Sequence, residues 1–243
     1  RSMSLKRHIV QHLRGTGYQR WWEKLAHIAQ VGMNHWGGAH FRHSGEVEVV
    51  KHVLAAADPR FGTLILDVGA DQGFYTEMLL QHVGPQHRVL CFEPSAASRA
   101  ILARTLAGPL AQGVVSVAPI GLGNAPAHME LFASNDGASV SSLYAFDDHT
   151  RPWSAGAKET IEIQTLDTYC AGQGIEHILF MKVDVEGHEL AVLQGAQGLI
   201  AARAIQFIQF EFGEAHIDAR TFFLDIYKVL EPTYTLYRVL PNG

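Results

Sequence analysis

Two clusters of acidic residues set beside glycines carry the chemistry in this chain. The first is Asp67-Val68-Gly69-Ala70-Asp71-Gln72-Gly73, which follows the apolar run Thr63-Leu64-Ile65-Leu66. Its place is the carboxyl end of a predicted strand that turns into a predicted helix, the edge at which open α/β sheets bind ligands. Glycines there permit positive φ and close backbone approach. The spacing is D-x-G-x-x-x-G, not the G-x-G-x-x-G of dinucleotide sites. An acid ahead of the first glycine repels a pyrophosphate and suits a cationic or amine-bearing ligand. The second cluster is Met181-Lys182-Val183-Asp184-Val185-Glu186-Gly187-His188-Glu189. Strand alternation points Lys182, Asp184 and Glu186 the same way. Three charges on one face of a central strand are costly unless they are paired or face a cleft.

The strand after the first cluster ends in Phe92-Glu93-Pro94. An acid at that place can accept hydrogen bonds from two ribose hydroxyls, each worth about 1.5–3 kcal/mol. A nucleoside that carries an amino acid and no phosphate satisfies both Asp67 and Glu93, and S-adenosylmethionine has that constitution. The second cluster reads either as a Lys–carboxylate network that orients its loop or as the mouth where a substrate meets the methyl donor. Glu211, at the end of a neighbouring strand, can join it. Two or three carboxylates also suit a divalent ion, but nothing in the spacing requires one.

The elements that must position these residues alternate from about residue 63 onward, which predicts a mostly parallel sheet covered on both faces. Strands are expected at 63–68, Arg88–Glu93, Val114–Ile120, His177–Asp184 and Ile205–Phe212, with helices between them. A helix is expected from Asp218 to Leu230, and the alternation of Thr233–Leu240 predicts a closing edge strand. The fold class expected from this alternation is α/β, doubly wound and mostly parallel. Residues from about 125 to 166 read as an inserted hairpin. Residues 1–60 read as a helical preface to a domain of residues 61–243. Trp21, Trp22, Leu25, Ile28 and Ala29 share one face of it, and Val47, Val50, Val53 and Leu54 share another.

Composition narrows the function classes. The 243 residues hold 19 Lys+Arg against 24 Asp+Glu, a formal charge of −5, with 47% apolar residues. This excludes a disordered chain and a basic nucleic-acid binder. The longest stretch without charge, Thr105–Met129, is broken by Pro109, Pro119 and Pro126, so no membrane span is expected. No signal segment is expected, and Cys91 and Cys170 are too few for a disulfide framework. The expected compartment is the cytoplasm. His35, His40 and His43 share a loop without a standard ligand pattern, so no metal site is expected.

LDVGADQGFYT, CFEPS, TLDTYC, FMKVDVEGHELAVLQGA and QFEFG together resemble the FkbM-type methyltransferases, and GMNHWGGAH…HSGE resembles the segment ahead of the core in bacterial members. The resemblance implies a class I, Rossmann-like fold with a seven-stranded sheet, and an S-adenosylmethionine-dependent enzyme that most often methylates a hydroxyl oxygen on a polyketide, a sugar or a related metabolite, with S-adenosylhomocysteine as product. By position it assigns Asp67, Gly69, Ala70 and Gly73 to the methionine-side loop and Glu93 to the ribose. Pro94, Ser95 and Gly121 fall near the adenine, and Ser44 and Glu46 to an S-G-E element over the cofactor. Asp71 departs from the family's usual Asn. Ser44 reads equally as a plain helix cap.

Removal of the acceptor proton is worth about 10²–10⁴-fold. Asp184 is the first candidate base, with Glu186, His188 and Glu211 as alternates and Lys182 as the residue that holds the carboxylates. His188 starts a helix, where it can face solvent. The partner is thus a small-molecule or glycan hydroxyl acceptor. A nicotinamide-dependent oxidoreductase and a non-catalytic S-adenosylmethionine-binding module remain as alternatives, and the expected edge strand either pairs across a homodimer or is covered within the monomer.

Overall fold

A computed structural model of the protein describes residues 16–32, 44–133, 141–143 and 158–240. Trp36, Ser139 and the three histidines of the preface loop lie outside them. The chain divides into two compact units, one of residues 1–49 with 238–243 and the other of residues 50–237.

In the smaller unit, helix α1 (Gln19–Gly32) has no buried residue. Trp21, Leu25 and Ile28 stand 51%, 39% and 65% exposed, so the face expected to pack does not do so among the described residues. Helix α2 (Glu46–Ala55) starts after Ser44-Gly45. Gly45 has φ +93, and a Cβ on it would stand 2.1 Å from the Leu240 carbonyl oxygen. That approach, rather than a ligand, demands the glycine of the S-G-E element. Ser44 Oγ donates to Glu46 at 2.9 Å and accepts the Glu46 amide at 3.4 Å.

In the larger unit, β1 (Leu64–Val68) leads to α3 (Phe74–Leu80), then β2 (Arg88–Phe92), α4 (Ala96–Thr105), α5 (Ala107–Ala111) and β3 (Val115–Ala118). An excursion follows: β4 (Gly121–Leu122), β5 (Ala127–Ala133), β6 (Ser141–Ser142) and β7 (Lys158–Gln164). Then come α6 (Leu166–Gln173), β8 (Ile178–Val183), α7 (Glu189–Gln194), α8 (Gln197–Ala201), β9 (Ile205–Phe210), α9 (Ala215–Asp218) and α10 (Phe223–Leu230). Five strands form a parallel sheet in the order β3-β2-β1-β8-β9. Right-handed crossovers then reverse the winding at β1, which places helices on both faces and opens a crevice between the carboxyl ends of β1 and β8. Central strand β8 is buried at every position, as a strand covered on both faces must be. Leu66, Val68, Met181, Val183, Val192, Leu193 and Ile226 lie at the heart of the core.

The expected hairpin is present: β5 and β7 pair antiparallel from Ala127↔Ile163 to Phe132↔Lys158 in a second, four-stranded sheet.

The parallel sheet has five strands among the described residues, where seven were expected. Two expectations need correction. Thr233–Leu240 forms no ladder among the described residues. The Thr233 and Tyr234 amides turn back to the Leu230 carbonyl, and the Tyr234 hydroxyl donates to the Ile205 carbonyl at 2.7 Å. Alternation there records which side chains reach the core, as Tyr234 and Leu236 do, not strand pairing. The single helix expected from Asp218 to Leu230 is two, because Arg220 takes φ +54 and the Thr221 amide returns to the His216 carbonyl. The Asp225 carboxyl then accepts the Phe222 amide to start α10. No described helix is long and apolar enough to cross a membrane.

Candidate active site

The parallel ladders run one residue past three strands and so deliver three acids to one edge. The Glu93 amide donates to the Ala118 carbonyl, the Asp184 amide to Val68 at 2.9 Å, and the Glu211 amide to Val183 at 3.1 Å. Asp67 sits within β1, in register with Lys182 of β8. Acids therefore occupy the carboxyl ends of four adjacent strands, β2, β1, β8 and β9.

On the β1–β2 side, Asp67 is fully buried and accepts the Thr76 hydroxyl at 2.5 Å. The Gly69 and Ala70 amides donate to the Phe92 carbonyl. Gly69 has φ +83, and a Cβ on it would stand 1.8 Å from the Asp184 carbonyl oxygen. A Cβ on Gly73, also at φ +83, would press on Leu102 and Leu106 at 3.0–3.2 Å. Both glycines of the D-x-G-x-x-x-G turn are thus required by packing within the protein. The Glu93 carboxyl spans the turn, accepting the Asp71 amide at 2.8 Å on one oxygen and the Ser95 amide at 2.7 Å on the other. Asp71, at φ +44, accepts the Ser98 hydroxyl, and Ser95 caps α4. Pro94 presents its carbonyl to Arg99 at 2.5 Å. Burial raises the Glu93 pKa to about 7 against the pull of the two amides. Each carboxyl oxygen has a second lone pair, so Glu93 retains acceptor capacity toward a ligand.

On the β8–β9 side, Lys182 is 6% exposed, with its ammonium 2.7 Å from Asp184 Oδ2 and 4.2 Å from the centre of the Tyr75 ring. Burial pushes the Asp184 pKa up, but Lys182 outweighs it by charge and by hydrogen bond, and the group stands below the usual carboxylate range. Glu211 shares a hydrogen bond with Asp184, and the Asp184 charge followed by burial lifts it to about 8. At neutral pH Glu211 is therefore the protonated partner and donates to Asp184. Glu186 lies past the end of β8 at φ +51, a conformation that costs a non-glycine residue about 1–3 kcal/mol. Burial, then the charges of Asp184 and Glu189, lift its pKa to about 7.

The sequence therefore placed Lys182, Asp184, Glu186 and Glu211 together, and the structure brings them together by two means. Lys182 and Asp184 meet as strand neighbours, whereas Glu186 reaches the cluster through a left-handed turn rather than by alternation. His188 is 8% exposed rather than solvent-facing. It lies close to Gly123, where a Cβ would stand 3.1 Å from its Nε2, and burial lowers its pKa. Gly121 is buried in β4, and a Cβ there would meet the Ile163 side chain at 2.6 Å. Ser44 and Glu46 belong to the smaller unit.

Sequence reasoning missed two residues. Glu189 and His216 are 1% and 3% exposed, with His216 Nε2 2.8 Å from Glu189 Oε2. Glu189 stood in the quoted motif, and its signal was an acid expected in a first helical turn. His216 gave none, since its contact spans the gap between two elements.

The FkbM methyltransferase domain pattern matches residues 67–238. Methyltransferase 1 of Beauveria bassiana (strain ARSEF 2860) is 29% identical over 146 residues, which is 55% of this chain. The match spans 58% of that relative's length. A solved FkbM methyltransferase from Methylobacillus flagellatus KT aligns at 18% identity and a TM-score of 0.47, over 71% of this chain and 37% of its own. A putative rRNA-methylase from Clostridium thermocellum aligns at 18% identity and 0.26, over 32% and 40%.

Proposed function

The chain belongs to the FkbM methyltransferase family, and from that premise we propose that it transfers a methyl group from S-adenosylmethionine to a hydroxyl of a sugar, polyketide or related small metabolite, with Glu186 as general base. The observation that carries this reading is the run of acids on the carboxyl ends of four adjacent strands across the order reversal. The donor set on the β1–β2 side suits this cofactor: Asp67 and Glu93 are acceptors, the loop between them is tightly turned, and the acids disfavour a pyrophosphate. Glu93 would hold the ribose, with Asp67, Gly69, Ala70 and Gly73 around the methionine part and Pro94 and Ser95 near the adenine. When bound, the cofactor supplies an electrophilic methyl on a sulfonium, so that an O–C bond forms as the C–S bond breaks.

The chain's own residues then divide the proton work. A base is most effective when its pKa lies near the working pH, which favours Glu186 at about 7 over Asp184, held below the usual range by Lys182. Asp184 stays charged and accepts from Glu211, which keeps that side chain in place. The acceptor's hydroxyl proton passes to a Glu186 oxygen. Phe212, 43% exposed, follows Glu211 and lies 5.4 Å from the Phe223 ring, and these rings offer flat apolar contact to the acceptor's framework.

The test is thermal denaturation with S-adenosylhomocysteine, S-adenosylmethionine, NADH and NADPH in parallel. Ligand at about 100 times its dissociation constant adds roughly 2.7 kcal/mol, a shift of several degrees for this size. A shift with the adenosyl compounds alone supports the reading and moves the work to acceptor screening. A shift with a nicotinamide alone overturns it.

A further inference from the structure

Glu186 is the residue of the acidic cluster that does not sit on a strand ladder, so something else must hold it. The backbone amides on either side of it, those of Val185 and Gly187, both donate to the Glu189 carboxyl, at 2.9 Å to Oε1 and 3.0 Å to Oε2. The Glu186 carbonyl in turn accepts the Ser142 hydroxyl at 3.0 Å. Glu189 Oε2 also stands 2.8 Å from His216 Nε2. The other ring nitrogen, Nδ1, accepts the Gly213 amide at 3.2 Å. An accepting Nδ1 leaves the ring proton on Nε2, the nitrogen in contact with the Glu189 carboxyl. Gly213 stands two residues after Glu211, and Gly187, at φ +102, is so close to α9 that a Cβ would lie 2.8 Å from the Ala215 carbonyl. The buried pair thus joins the loop after β8 to the loop after β9.

We propose that Glu189 and His216 form a positioning clamp that holds Glu186 in its left-handed turn and keeps the Glu186 and Glu211 loops in fixed relation. The inference rests on the reading of Glu186 as the base. Neither clamp residue touches the reacting groups; both act through the backbone of 185–187 and 213. A carboxyl can accept two amides and still face an imidazole nitrogen, and the imidazole accepts the Gly213 amide on its other side.

Two polar replacements of His216 separate the parts of this device. His216→Gln places its amide near the Nε2 position, toward Glu189. His216→Asn places its amide near the Nδ1 position, toward Gly213, and removes the group in contact with Glu189. Hydrogen exchange at fixed pH reads the Val185, Gly187 and Gly213 amides, and carboxyl ¹³C spectra of labelled glutamates, assigned with Glu186→Gln, follow the titration of Glu186. With His216→Asn the Val185 and Gly187 amides should exchange about tenfold faster or more, and the Glu186 midpoint should fall from about 7 toward 4.5 as the side chain reaches water. With His216→Gln both readings should stay near those of the parent. Equal behaviour of the two variants would overturn the proposal, as would faster exchange spread evenly through β1 and β8, which reports a general loss of stability. S-adenosylhomocysteine binding, measured separately by calorimetry on the parent, decides the cofactor reading, so failure of that reading and failure of the clamp are distinguishable.

Discussion

The contact between Gly69 and the end of β8 can be weighed by a single methyl group. In Gly69→Ala the new Cβ would lie 1.8 Å from the Asp184 carbonyl oxygen, and the residue would have to keep φ +83. The left-handed conformation alone costs an L-residue about 1–2 kcal/mol. Relief of the collision requires the Asp184 carbonyl to withdraw. That strains the neighbouring Asp184 N–H to Val68 hydrogen bond of 2.9 Å, and forced overpacking of this kind costs about 1–3 kcal/mol. Together the change should destabilise by about 2–5 kcal/mol, a large share of the 5–15 kcal/mol of a typical domain. Gly174→Ala is the control, because Gly174 has φ +66 with nothing within 4 Å of its Cβ, so only the conformational part, about 1–2 kcal/mol, applies. Urea unfolding of both variants gives the comparison, with midpoints that move at constant slope. Gly69→Ala should lose at least about 1 kcal/mol more than Gly174→Ala, or roughly 2–4 °C more in Tm for each kcal/mol. Equal losses would refute the argument that the end of β8 presses on this glycine.

Glu186 and Glu211 bind their protons more tightly when folded, at about 7 and about 8 against 4.5. The stability they contribute is complete below pH 4.5 and is lost as pH rises through 7 and 8, so the unfolding free energy should fall between pH 5 and 8 and fall less steeply in Glu186→Gln/Glu211→Gln; an unchanged slope in that variant contradicts the assignment. Lys182→Met leaves Asp184 without its cation and should cost about 3 kcal/mol, whereas Lys182→Met/Asp184→Asn should recover most of it; denaturant titration of the two checks this. Glu93→Gln should weaken S-adenosylhomocysteine about tenfold to hundredfold by calorimetry, and undiminished affinity would remove Glu93 from the ribose.

The sequence was most informative where a residue's neighbours along the chain are also its neighbours in space. The apolar runs at Leu64–Val68, Arg88–Phe92 and Ile178–Val183 are strands because a parallel sheet buries both faces, and the acids that follow them lie where the ladder places them. Thr233–Leu240 misled because period-two burial needs only an extended chain with anchors such as Tyr234, not a ladder partner. The single helix expected from Asp218 divides at Arg220, whose left-handed φ carries no warning of its own in an Arg. Gly69 and Gly73 were recognised as glycines that a turn requires, but the groups that crowd them, the Asp184 carbonyl and the Leu102–Leu106 pair, come from segments with no local signature. His216 escaped for the same reason.

Carboxyls of similar intrinsic strength on one sheet edge range from below the usual carboxylate value to about 8, and the Lys182 cation sets the lowest of them. Lys182 touches Asp184 and holds it charged. That fixed negative charge is the largest influence on Glu211, which keeps its proton and returns a hydrogen bond. Glu186 also feels the Asp184 charge, but burial is its largest influence, and its pKa rises to about 7. Glu93, whose largest influence is also burial, reaches a similar value with two amides pulling it down. A carboxyl with its pKa near neutrality thus needs no unusual residue, only a place set back from the buried Lys182 ammonium. Its place past the strand end, in a turn that no ladder stabilises, is what makes that separation available.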